Sequence, residues 1–243
     1  MTTLSPFLLH LADTALILSH RNSEWCGHGP VLEQDIAITN IALDQVGLAR
    51  NLYQYAATLI GNTTEDELAM LRAEREYKNL LLAELPRGDW AVTVLRQYFI
   101  CQFQYLQYQQ LQHHVNEQLA AIAAKSLKEL KYHLRWSSEW VVRLGDGTEE
   151  SRQRLSNALQ ELWPYTGELF MPADYELLAG VDSSTFATAW MEQVQGVIQE
   201  STLSIPVNTF MHSGGKQGIH TEYFGFLLTE LQYMQRAYPG CEW

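Results

Sequence analysis

The chain has 243 residues, enough for one large domain with a sizeable core, and 47% of them are apolar. Sixteen basic residues against twenty-eight acidic ones leave a net charge of −12, which argues against nucleic acid or an anionic membrane surface as a partner. No run of 18 or more apolar residues occurs, so no transmembrane helix is expected, and Cys26, Cys101 and Cys241 form neither a disulfide framework nor a zinc spacing, which fits a reducing cytoplasm.

The stretch from Met1 to Ser19 lacks the basic start of a signal peptide, and His10 and Asp13 interrupt its apolar part. It reads as a first helix to about His20, with Ser5 as N-cap and Pro6 at the first helical position. The breaker-rich linker Asn22–Pro30 carries a Trp25 of buried type. Helical spacing of Ile38, Ile41, Ala42, Gln45, Leu48 and Leu52 then predicts a helix from Val31 to Ile60, ended by Gly61-Asn62. Such a helix spans roughly 45 Å, long for a globular protein and ordinary for a bundle.

Thr64 and Glu67 form a capping box that opens a helix running through Leu71 and Leu81 to Leu85. Asp89 caps the next, Trp90 to Val115, whose tyrosine and glutamine stripe (Tyr98, Tyr105, Tyr108) suits either a core or a partner-facing surface. Leu119 to Leu144 follows, with Ala120, Ala123, Leu127, Leu130, Leu134, Ser137 and Val141 on one face and Glu129, His133 and Trp136 close to it. Thr148 caps a helix to Trp163, and Gly167 to Ser184 is irregular. Helices are expected again at Ser184–Ser201 and from about His220 to Tyr238. No alternating run indicates a strand. The expected fold is all-α, a long-helix bundle, with residues 1–243 as a single domain made of a bundle core at about 5–145 and a helical extension at about 148–243.

Inward carboxylate and imidazole on long helices suggest a di-iron bundle, which needs two Glu-x-x-His pairs and two further carboxylates. Three residues before the eight histidines stand Phe7, Ile17, Trp25, Gln110, Leu111, Leu130, Thr209 and Gln217. None is acidic, so the motif is absent and His133 reads as a hydrogen-bonded structural histidine. Gly214-Gly-Lys-Gln-Gly218 lacks the Walker spacing and reads as a tight turn into the last helix. His220-Thr-Glu222 reads as a polar contact at that helix's start, and Cys101 as a packed small hydrophobe.

Four motifs in order resemble one family: Ser23-Glu-Trp-Cys-Gly-His-Gly-Pro30, Asn40-Ile-Ala-Leu-Asp-Gln-Val-Gly-Leu-Ala-Arg50, Lys128-Glu-Leu-Lys-Tyr-His-Leu134 and Gly214-Gly-Lys-Gln-Gly-Ile-His-Thr-Glu222. The family is PaaC, a subunit of bacterial phenylacetyl-CoA 1,2-epoxidase, and the resemblance covers essentially the whole chain. It implies a ferritin-like, non-catalytic subunit of an oxygenase complex. A PaaA-like subunit there holds the di-iron centre, and a reductase subunit delivers electrons from NADPH.

Set against the catalytic subunit's pattern, the resemblance places the ligand positions at Ala15, Gln45, Leu48, Cys101, Leu130 and His133, with Asp44 the surviving non-ligand aspartate. One histidine of six ligands remains, so no cofactor and no catalytic residue are expected in this chain. Two other readings stand beside it: a free-standing helical binding protein, and an active di-iron oxygenase with unusual ligands.

Overall fold

A computed structural model describes residues 4–241. Among them are ten α-helices and no strand: α1 Ser5–Ser23, α2 Leu32–Ile60, α3 Glu65–Met70, α4 Leu81–Glu84, α5 Trp90–Leu111, α6 Glu117–Gly145, α7 Glu149–Leu162, α8 Asp174–Leu178, α9 Ala187–Glu200 and α10 Glu222–Ala237. The fold is all-α with long helices, as the periodicity predicts, and of the ferritin-like kind that the resemblance implies. None of the described helices is long and apolar enough to cross a membrane.

The chain folds as two compact units. The first takes residues up to Pro86, Ala173–Val181 and the chain from Gly214; the second takes Arg87–Pro172 and Asp182–Ser213. The residues after 148 are therefore shared between the units rather than forming a body of their own.

In the first unit α1 and α2 pack along their length. Asn22 bonds Gln45 and Tyr53 bonds Asp13, so one number rises as the other falls and the pair is antiparallel. Almost every residue of α1 from Ser5 to Asn22 is buried, polar ones included, which is the pattern of a helix enclosed on all sides. Leu4, not Ser5, holds the N-cap position, and Pro6 sits in the first turn where its missing N–H costs nothing. Trp25 is only half-buried.

The helix expected from Thr64 to Leu85 is broken. The Thr64–Glu67 capping box forms, but α3 ends at Met70 and 71–80 is largely irregular. Two of its backbone donors are taken by side chains of α1: Lys78 N–H donates to Asp13 (2.8 Å) and Leu80 N–H to Thr14 (3.3 Å). A segment whose amides are satisfied from a distant helix has no need of its own helical ladder.

In the second unit α5 and α6 are joined by the short connection 112–116. The Asp89 side chain caps α5 (3.0 Å from Val92 N–H), and Asn116 caps α6 (2.9 Å from Leu119 N–H). Helix α5 stops at Leu111, short of the expected Val115. The core gathers Phe99, Phe103, Trp163, Phe170 and Trp190, with ring centroids 5.2–6.0 Å apart in tilted and edge-on pairs. The indole N–H of Trp190 donates to the Phe99 carbonyl at 3.0 Å, so this fully buried ring keeps its polar atom satisfied. Tyr98 and Tyr108 are 1% exposed, which places these two in the core and rules both out as partner-facing residues of the chain as folded, whereas Tyr105 is half-buried. On α6 the buried stripe runs through Leu119, Ala123, Ser126, Leu130, His133, Ser137 and Val141, while Leu127 and Leu134 lie half-buried at its edge.

Candidate functional site

The positions assigned to metal ligands by the resemblance are all buried. In the first unit Ala15 lies on α1, and Gln45 and Leu48 lie one turn apart on α2. Ala15 and Leu48 carry no donor atom. Gln45 carries a neutral amide whose oxygen already accepts from Asn22 Nδ2 at 3.0 Å. Asp44, the neighbouring aspartate, is half-buried.

In the second unit Cys101 sits on α5, and Leu130 and His133 on α6, with Glu129 half-buried at the edge of the buried stripe. The Cys101 sulfur accepts from Gln97 Nε2 at 3.0 Å, and burial pushes its thiol up to about 12, so it stays protonated at neutral pH. Ser137 Oγ donates to the His133 backbone carbonyl at 2.8 Å, a contact of the helix itself. Leu130 carries no donor atom for a metal.

This donor set does not fit a di-iron centre, which asks for anionic oxygen ligands from several helices. Among the described residues no group of three or more His, Cys, Asp or Glu side chains is arranged to hold a metal ion.

Buried charge is concentrated elsewhere in the first unit, and sequence reasoning missed it. Asp13, fully buried, accepts from Tyr53 Oη (2.5 Å), from the backbone N–H of Lys78 and from Arg72, which reaches both carboxylate oxygens. Burial raises the Tyr53 phenol well above its ordinary range, and the Asp13 charge adds to that. Burial acts to lower Arg72, but the Asp13 carboxylate and its neighbours outweigh it and leave the guanidinium raised.

Two further clusters tie the Gly-Gly-Lys-Gln-Gly turn and the start of α10 into the same unit. Lys216, 1% exposed, pairs with Glu176 at 2.9 Å, and Glu176 also caps α8 by accepting from Ala173 N–H at 2.7 Å. His220 lies 2.8 Å from Glu84, whose carboxylate also accepts from Asn79 and from Thr221 N–H. His10 donates from Nδ1 to the Lys78 carbonyl at 2.6 Å, since a carbonyl can only accept. Burial is the chief reason its pKa is lowered; Lys216 lowers it further, while Glu176, the Lys78 carbonyl and Asp13 act against.

Each of these carboxylates is engaged by donors within the fold. Such a group holds elements together and is not presented to a metal or a substrate proton. The polar residues that break the apolar run of α1, His10 and Asp13, were the one sequence signal for it. The glycine turn forms as expected: Gly218 adopts φ +75°, and Lys216 points inward rather than toward a phosphate.

The family model described as phenylacetic acid catabolic protein matches residues 1–243. The chain belongs to this family. Among curated relatives, it is 45% identical over 248 residues to one of the subunits of the 1,2-phenylacetyl-CoA epoxidase of Escherichia coli (strain K12), with the whole of both chains covered. A phenylacetic acid catabolic protein is thus what the long helices and the four motifs belong to, and the site residues above are those of a member whose likeness extends end to end.

Proposed function

We propose that this chain is a non-catalytic subunit of a multicomponent oxygenase that forms the ring epoxide of phenylacetyl-CoA. The di-iron chemistry belongs to a separate, PaaA-like subunit, and a reductase supplies electrons from NADPH. The observation that carries the reading is a conjunction: likeness over the full length to an epoxidase subunit, and a donor set that does not suit iron. A chain of this kind contributes through contact.

The physical sense of such a subunit follows from the cost of buried charge. Four carboxylates held in a helical interior are expensive without their metal, so once the metal is lost those positions become apolar, as at Ala15 and Leu130. The remaining long helices give a stiff body against which a homologous subunit packs. Two exposed free thiols, Cys26 and Cys241, suit a reducing compartment, read here as the cytoplasm.

Elemental analysis tests the reading. The chain, purified after expression in iron-supplemented medium beside the di-iron subunit from the same cells, is expected to carry only traces of iron while that subunit is loaded. Stoichiometric iron in this chain contradicts the proposal and favours the unusual-ligand oxygenase.

A further inference from the structure

Helix α2 turns an apolar stripe outward. Leu32, Ile36, Leu43 and Val46 are 72, 52, 62 and 46% exposed, although the opposite face of the same helix, with Ile38, Ile41 and Leu52, is fully buried. Steps of four, seven and three residues place the four on the a and d positions of a heptad, with Thr39 filling the remaining d position. The stripe is about 21 Å long. Single exposed leucines need no explanation, but four in one heptad register form a seam.

A seam with this period fits one kind of occupant. Knobs at 3.5-residue spacing pack into the holes of another α-helix, whereas a strand or a loop offers no matching period. The borders of the stripe say what that helix carries. At its N-terminal end Glu33 lies on one side and Asp35 on the other, and Asp44 follows on the side of Glu33. The Asp35 carboxylate is fixed there by the backbone N–H groups of Gly27 (3.1 Å) and Gly29 (2.9 Å), so the motif Trp-Cys-Gly-His-Gly-Pro holds a negative charge at the rim. The one basic residue on the face is Arg50, past the last apolar position.

A second copy of this chain meets the seam poorly. Two copies in parallel set Glu33 and Asp35 against themselves. Neither antiparallel register that keeps a opposite d covers all four: one sets Ile36 against Val46 but Leu32 against Arg50, the other sets Leu32 against Leu43 but leaves Val46 opposite Gly29, before the partner copy's helix begins. Each copy also brings a net charge of −12.

We propose that the outer face of α2 is the docking seam for a helix of the separate oxygenase subunit, one with an apolar heptad stripe and Lys or Arg beside the end that meets Glu33 and Asp35. This rests on the partner-subunit reading and adds to it the surface and the chemistry of the contact.

The test uses the full-length chain and the purified di-iron subunit, with binding measured by titration calorimetry for wild type, for Ile36→Glu/Leu43→Glu, and for Phe226→Glu as a control. Phe226 is 75% exposed on α10. The double variant, its fold checked by circular dichroism, is expected to bind about 30-fold more weakly or worse, as loss of a central anchor does, and the control to bind as wild type. A photo-crosslinker in place of Leu43 is expected to capture a basic-flanked amphipathic helix of the di-iron subunit. If wild type binds and the double variant binds equally well, the seam is refuted while the partner role stands. Absence of binding by wild type refutes both. Capture of a second copy of this chain assigns the face to self-association and overturns the proposal.

Discussion

Asp13 shows what a single buried residue does in this fold. Its charge is tolerable at zero exposure because Tyr53, Arg72 and the Lys78 amide leave neither oxygen unsatisfied. His10, one turn earlier, is the titratable member of the same region. Its folded pKa lies below the ordinary 6.5, chiefly through burial, so on acidification the unfolded chain takes up the proton first. Its contribution to stability is therefore present above about pH 6.5 and lost as pH falls through the folded value. Urea unfolding at a pH of about 8 and about 5.5 checks this. The wild type is expected to lose stability on acidification, and His10→Asn, which keeps a donor to the Lys78 carbonyl, to lose less. An unchanged difference in the variant contradicts the assignment. Neither contact was legible in the sequence. His10 and Asp13 stood out as polar interruptions of an apolar helix, but the Lys78 carbonyl and the Arg72 guanidinium lie 68 and 59 residues away in the chain.

At the scale of elements, what was legible was local. The capping side chains of Thr64, Asp89 and Thr148 act on amides three residues away, and all three cap as their sequence context predicts. What failed was set at long range: the helix through 71–80 yields to acceptors from Asp13 and Thr14. The α5 tyrosines were ambiguous because a helix buried on nearly every side has no polar face to read. Glycines separate the two scales. Gly61 ends α2 at φ +90° with open space where a Cβ would sit, so Gly61→Ala is expected to cost only the left-handed penalty of about 1 kcal/mol. At Gly218 the same penalty applies at φ +75°, and a Cβ would also come within 2.2 Å of the Arg75 carbonyl oxygen, a backbone atom with little room to yield. Gly218→Ala is expected to cost about twice as much or more in chemical denaturation. Equal losses at the two sites contradict the view that the glycine turn is a packed junction.

For the whole molecule, the six ligand positions are assigned by the resemblance, and at five of them the residue type or its engagement speaks against iron: Ala15, Leu48 and Leu130 carry no donor atom, Gln45 is engaged with Asn22, and the Cys101 thiol is held protonated. The outward seam of α2 was not legible, because periodicity marks an apolar face without saying which side of the helix is covered. Partnership is the central claim, and reconstitution tests it most directly. The di-iron subunit, the reductase, phenylacetyl-CoA and NADPH are combined with and without this chain, and epoxide formation is followed. Product is expected only when this chain is present, with none from the chain and reductase alone. Full activity and unaltered stability of the di-iron subunit in its absence would contradict the account.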